Sequence, residues 1–231
     1  MNPDAASAGR QISLGRAVTL VGLASLAALY VLALQFTPPE RFQGLAQKIF
    51  YIHPPAAYAM QLAFVLTGVA SLLYLLLRDA RFDRFAEASA EVGMAFGLIV
   101  VITGPIWGRP AWGTWWEWEP RLTFTVMELV LFAGYFALRG AVRDPAERAK
   151  FSAVLGLMAL VLVPFNHLTV YLFASQHPQP VVIRTSKPEL PFVMLRAFIA
   201  GFGVFTILYL GLVMQRFGIG TRRALQEATD G

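Results

Sequence analysis

The strongest constraint on this chain is the length of its apolar runs. Six stretches, near residues 17–36, 54–77, 88–107, 121–138, 151–172 and 191–214, are mostly apolar and separated by clusters of charge. About 20 helical residues cross the roughly 30 Å hydrocarbon layer of a bilayer. A charge at its centre costs about 2.5–3.5 kcal/mol even on a lenient insertion scale, so long stretches with few charges carry the signal. Composition agrees: 57% of the 231 residues are hydrophobic and 14% are charged, against roughly 25% charged in soluble domains. The expected fold is therefore an all-α integral membrane protein, a bundle of six transmembrane helices forming one polytopic domain over residues 1–231. Short connections favour an up-and-down bundle in which sequence neighbours pack together. Gly104-Pro105 and Pro164 fall inside spans and are tolerated there, because neighbouring helices re-satisfy the freed carbonyls. The polar start, MNPDAASAGRQISLGR, lacks an A-x-A-like site after a short apolar core, so the first run reads as a retained span.

The distribution of Lys and Arg sets the orientation. Twelve of the 19 basic residues fall on the side of the two termini: Arg10, Arg16, Arg78, Arg81, Arg84, Arg139, Arg143, Arg148, Lys150, Arg216, Arg222 and Arg223. Arg41, Lys48, Arg109, Arg121, Arg184, Lys187 and Arg196 fall on the other. The positive-inside rule places both termini in the cytoplasm. It also accounts for the net charge of +5 without nucleic acid, which is not an expected partner. His53, the stretch Trp107–Trp118 and His177 then share the outer face, with His167 about ten residues before His177 in the fifth span.

All five tryptophans lie in Trp107-Gly-Arg-Pro-Ala-Trp-Gly-Thr-Trp-Trp-Glu-Trp118. An interfacial aromatic belt would scatter them over many helix ends. Concentration in one place suits a platform for a large planar ligand. Gly108, Pro110, Gly113 and Pro120 suggest a shaped outer loop over 107–120 rather than a continuous helix, with Thr114–Trp118 as a candidate short interfacial helix.

His53 precedes Pro54-Pro55, a pair suited to a helix start, and His177 occupies the equivalent place after the fifth span. A lone interfacial histidine is most simply a hydrogen-bonded surface residue. Two that flank a tryptophan-rich segment are candidate ligands, because neutral imidazole commonly binds haem iron. The chain has no cysteine, which excludes disulfides, thiolate ligands, a cysteine nucleophile and a Cys-x-x-Cys-His attachment site. Zinc would need all three histidines or Glu117 and Glu119, and would leave the tryptophans unexplained. Lys48 and Arg121 are candidates to hold acidic groups of a ligand, or are ordinary interfacial anchors. His167 and Glu128 are intramembrane ionisable residues, for which function is one reading and pairing with a neighbouring helix the other.

Residues 104–123, GPIWGRPAWGTWWEWEPRLT, together with Tyr51-Ile-His-x-Pro-Ala-Ala57, resemble the tryptophan-rich "WWD" signature of haem-handling proteins of cytochrome c maturation. The chain is most similar to the CcmC, or haem exporter protein C, family; larger relatives carry extra spans or a different continuation after the tryptophans. The resemblance implies non-covalent, transient binding of haem b at the outer (periplasmic) face. It puts axial ligands at His53 and His177, the aromatic wall at Trp112, Trp115, Trp116 and Trp118, and the basic positions at Lys48 and Arg121. It also implies delivery to the haem chaperone CcmE, with the ABC transporter CcmA/CcmB and the small membrane protein CcmD as further partners. The implied role is presentation of haem rather than independent catalysis. The motif's aspartate is Glu119 here and is followed by Pro120, and the region after His177 is proline-rich; both depart from the family pattern. The alternatives are a transmembrane transporter of haem or another small molecule, and a structural subunit whose tryptophans form a protein interface.

Overall fold

A computed structural model describes residues 3–177 and 190–230. Six long helices account for most of it: α1 (Pro3–Phe36), α2 (His53–Leu77), α3 (Ala80–Trp112), α4 (Pro120–Ala141), α5 (Pro145–Leu172) and α6 (Phe192–Asp230), with a 3-10 segment at Leu45–Tyr51. All six contain windows long and apolar enough to cross a membrane, and the chain is a multi-pass membrane protein. Most of the helices outrun the apolar windows that announced them. α1 and α6 extend well beyond residues 17 and 214, carrying Arg10, Arg16, Arg216, Arg222 and Arg223. Hydropathy marks only the part that suits hydrocarbon, whereas backbone hydrogen bonding continues into the polar zone. Arg184 and Lys187, used in the charge count, lie outside the described residues.

Helix pairing departs from the neighbour-to-neighbour expectation. α2 is the hub and packs on α3, α5 and α6, while α1 packs along α6 rather than along α2. α4 leans mainly on α5. The α1–α6 choice follows from small residues set seven apart. A Cβ added at Gly15 would stand 2.8 Å from the Gln215 backbone nitrogen, and one at Gly211 2.6 Å from that of Thr19. Gly22 and Gly218 meet Leu208 and Ile12 as closely. In a bilayer, where apolar side chains gain little from leaving lipid, such close backbone approach is what favours one helix pair over another.

Aromatic packing and ion pairs complete the bundle. Phe64 and Phe132 stack with centroids 3.8 Å apart in the buried core. Near the end that carries the termini, Arg139 of α4 bonds Asp83 at 2.7 Å and Glu87 at 2.8 Å on α3, and Arg216 of α6 bonds Glu91. α3 is thereby fixed to two helices at one end, leaving its other end to carry the aromatic segment.

Candidate functional site

α3 does not stop where the glycines and prolines suggested. It runs through Pro105 and Pro110 to Trp112, so Trp107 and Trp112 are helical, and only 113–119 is irregular. A membrane helix tolerates internal proline, and the sequence cue for a loop over 107–120 overrated both. The stop comes at Gly113, whose φ of 85° is the left-handed C-cap conformation that glycine adopts without strain. Thr114–Trp118 forms no helix. Glu119 in extended conformation then leads into α4, with Pro120 in its first turn.

The tryptophans divide into two groups. Trp107 faces the bundle: its indole nitrogen donates to Gln43 Oε1 at 2.8 Å, and its ring meets Phe50 and His53 edge-on. Trp115 and Trp118 are 59% and 71% exposed. Trp116 lies edge-to-face with Trp118 at 5.4 Å, so the wall is angled rather than one flat surface. The Trp116 indole nitrogen is buried and has no acceptor among the described residues. Trp112 packs against His177 at 4.9 Å between ring centroids.

His53 opens α2, with prolines in the first turn as its sequence predicted. Its imidazole lies over Gly104 of α3, where an added Cβ would stand 3.3 Å from Cε1. Nδ1 is 2.9 Å from Thr103 Oγ1, and the same hydroxyl donates to the Ile99 carbonyl at 2.6 Å. A hydroxyl has one proton. With that proton on Ile99, Thr103 is the acceptor and His53 Nδ1 carries the hydrogen. The lone pair of the imidazole is therefore on Nε2, which makes no hydrogen bond among the described residues.

His177 is held the same way from the other side of the site. Its Nδ1 hydrogen-bonds Glu119 Oε1, and Glu119 Oε2 accepts from Ser175 Oγ at 2.8 Å and from the Gln176 amide at 2.7 Å. Glu117 accepts from Gln176 Nε2 at 2.6 Å. Two carboxylates of the tryptophan segment thus pin the chain leaving α5. Burial raises the Glu119 carboxyl, but the Ser175 hydroxyl, the His177 charge and the Gln176 amide outweigh it and hold the group below the usual range. For His177, burial and the nearby Arg121 charge outweigh the pull of Glu119 and lower the imidazole below its usual value. The neutral form, with Nδ1–H toward the carboxylate, is the one favoured.

Arg121 follows Glu119 and Pro120 in the first turn of α4, at the end of the bundle that carries the tryptophan segment. The structure thus gathers His53, His177, Arg121, Glu119 and Trp112 at one end of the bundle. Lys48 does not join them. It is 1% exposed, and its ammonium donates to Ala33 O at 2.9 Å and to Thr37 O and Oγ1 at 2.5 Å each, fastening the last carbonyls of α1. Its donors are engaged with these acceptors and not with the group around His53 and His177. His167 sits in α5 with its ring tilted at 6.5 Å from Tyr171. Thr103 and Ser175 escaped the sequence reading, since each meets its site partner, His53 and Glu119, across 50 or more residues of chain and a lone hydroxyl gives no sequence pattern.

The fold and this site define a class: a six-span membrane protein whose paired histidines and aromatic segment share one end of the bundle. The sequence profile described as "CcmC: Heme exporter protein C" matches residues 4–229. A protein of Rhodobacter capsulatus named heme exporter protein C is 35% identical over 192 residues, covering 81% of this chain and 79% of that one. One of the same name from Bradyrhizobium diazoefficiens is 34% identical over 175 residues, covering 76% and 66%, so the match takes in just under two thirds of its length. The Escherichia coli K12 protein of that name is 32% identical over 142 residues, 62% of this chain and 58% of its own. The chain belongs to the haem exporter protein C family.

Proposed function

We propose that this chain takes part in cytochrome c maturation by holding haem b, non-covalently and transiently, at the outer face of the bacterial cytoplasmic membrane. It then presents the haem to the chaperone CcmE, in a system that includes CcmA, CcmB and CcmD. The observation that carries this reading is the state of the two histidines. Both have Nδ1 occupied, and neither Nε2 makes a hydrogen bond among the described residues, the arrangement in which an imidazole serves as a metal ligand with a fixed ring orientation. Haem, as cargo, brings iron with two axial positions and a broad apolar face.

The residues present fit that cargo. His53 and His177 supply the axial nitrogens from α2 and from the end of α5. Trp112, Trp115, Trp116 and Trp118 supply apolar surface, and exposure of Trp115 and Trp118 leaves room for a partner to approach. Arg121 supplies positive charge for a propionate, and the Trp116 N–H, which has no acceptor among the described residues, is a further donor of the right kind. Lys48 serves the site indirectly, by fixing the end of α1 beneath the 3-10 segment that leads to His53.

Absorption spectroscopy of the purified protein tests this. A Soret band, present on isolation or after adding haem, is expected, with a low-spin spectrum that His53→Ala or His177→Ala disturbs and His167→Ala disturbs less. Absence of any Soret band would overturn the proposal, and an unchanged spectrum in both ligand variants would overturn the residue assignment.

A further inference from the structure

The two histidines are oriented by chemically unequal partners. Thr103 is a neutral hydroxyl on the neighbouring turn of α3, already polarised by its own bond to Ile99. Glu119 is a carboxylate, largely buried and itself held by the Ser175 hydroxyl and the Gln176 amide. A carboxylate accepting from Nδ1–H pushes electron density onto Nε2 and makes the imidazole a stronger donor to a metal; a hydroxyl acceptor does this far less. Resting on the haem reading above, we propose that Glu119 and Thr103 are positioning residues that make the ligand pair unequal, with His177 the anchoring ligand and His53 the one that yields when haem is handed on.

The mechanical setting points the same way. His53 is fixed at the rigid start of α2, over Gly104, and cannot follow an iron that moves outward with a departing ligand. His177 follows α5 in a non-helical segment tied to the tryptophan wall through Glu117 and Glu119. It can therefore stay with the aromatic segment while that segment engages a partner. Glu119 ends the irregular segment after α3 with its carboxylate on His177. Pro120 starts α4 directly behind it, and Glu119 makes no side-chain cap of that helix. Its carboxylate is left for His177.

Two measurements on the full-length protein in detergent or nanodiscs test the inference. The first needs no haem. The chain has three histidines, so nitrogen NMR of histidine-labelled apoprotein can follow each ring. His53 and His177 should both carry hydrogen on Nδ1, Thr103→Val should release the His53 preference, and Glu119→Gln should alter His177 alone. The second measures haem dissociation and displacement by added imidazole. Glu119→Gln should speed dissociation by roughly tenfold, the lower end of the range for lost metal-ligand partners, and raise the reduction potential. Glu119→Asp should retain most of the wild-type behaviour, which controls for misfolding. Thr103→Val should change dissociation by less than about threefold, and His177→Ala should lose haem faster than His53→Ala. Hydrogen on Nε2 in either apo ring, or equal or reversed effects of the two partner variants, would overturn the inequality while leaving haem binding intact. A wild-type protein with no Soret band would overturn the haem reading and the inequality with it.

Discussion

At the scale of single residues, the site depends on groups whose importance lies in what they leave room for. Gly104 has no special backbone conformation; its role is the space it leaves for the His53 ring. A methyl group at 3.3 Å from Cε1 is tighter than ordinary contact, so the ring or the helix must give by a few tenths of an ångström. Gly104→Ala is expected to weaken haem binding a few-fold and Gly104→Val more, with the thermal unfolding curve nearly unchanged. A spectral titration with haem, run beside a melting curve, checks both halves. Lys48 behaves in the opposite sense. Its ammonium is buried on α1 carbonyls, so Lys48→Met leaves those acceptors unpaired and should cost about 1–3 kcal/mol of stability. The haem spectrum should hardly move. A variant with wild-type melting behaviour and lost haem affinity would restore Lys48 to the ligand site.

Among the elements, α1 and α3 show how local sequence controls what each helix can do. α1 buries little of itself and depends on the glycine stripe that lets α6 approach. Gly211→Leu places a large side chain against the Thr19 backbone, which lies 2.6 Å from even an added Cβ. The expected outcome is separation of α1 from α6, seen as new protease cleavage within α1 and a lower melting temperature, while a volume-matched change at lipid-facing Leu20 leaves both alone. α3 is straight reading for most of its length, yet its end was not legible. Its internal prolines looked like a stop, whereas Gly113 is where the chain turns. Proline weakens a helix by removing one backbone hydrogen bond and crowding the carbonyl four residues back; inside a membrane bundle, neighbouring helices and local adjustment re-satisfy the freed carbonyl, and no local pattern reports it.

Across the whole molecule, one buried polar cluster joins three helices. Glu128 of α4 is 0% exposed, and its Oε2 accepts from Gln61 of α2 at 2.8 Å and from Asn166 of α5 at 3.2 Å. Asn166 also donates to Thr125 at 3.1 Å. α4 otherwise leans mainly on α5, so this cluster and the Arg139 ion pairs hold the helix that begins with Pro120 and Arg121. Glu128→Leu is expected to destabilise the bundle by about 1–3 kcal/mol by taking the acceptor from the Gln61 amide and leaving Asn166 with Thr125 alone, and Glu128→Gln to recover part of that loss. Thermal unfolding of the two variants decides it; a leucine variant as stable as the parent would show the cluster to be dispensable. The sequence marked Glu128 as unusual without deciding between a functional and a packing role, and the structure gives it partners on two other helices.

The sequence by itself determined that the chain crosses the membrane six times, because the cost of burying charge in hydrocarbon acts on each window separately. It also placed His53, His177 and the tryptophans at one end of the bundle, since alternate spans alternate direction. Tertiary structure decided what alternation cannot reach: that α1 pairs with α6, that Lys48 is used up on a helix end, and that the two imidazoles have different partners. Hydrogen bonds and close backbone approach depend on which side chains meet across helices some fifty residues apart in the chain, as His53 and Thr103 are. Periodicity sets the face of a helix, and packing alone sets what lies opposite it.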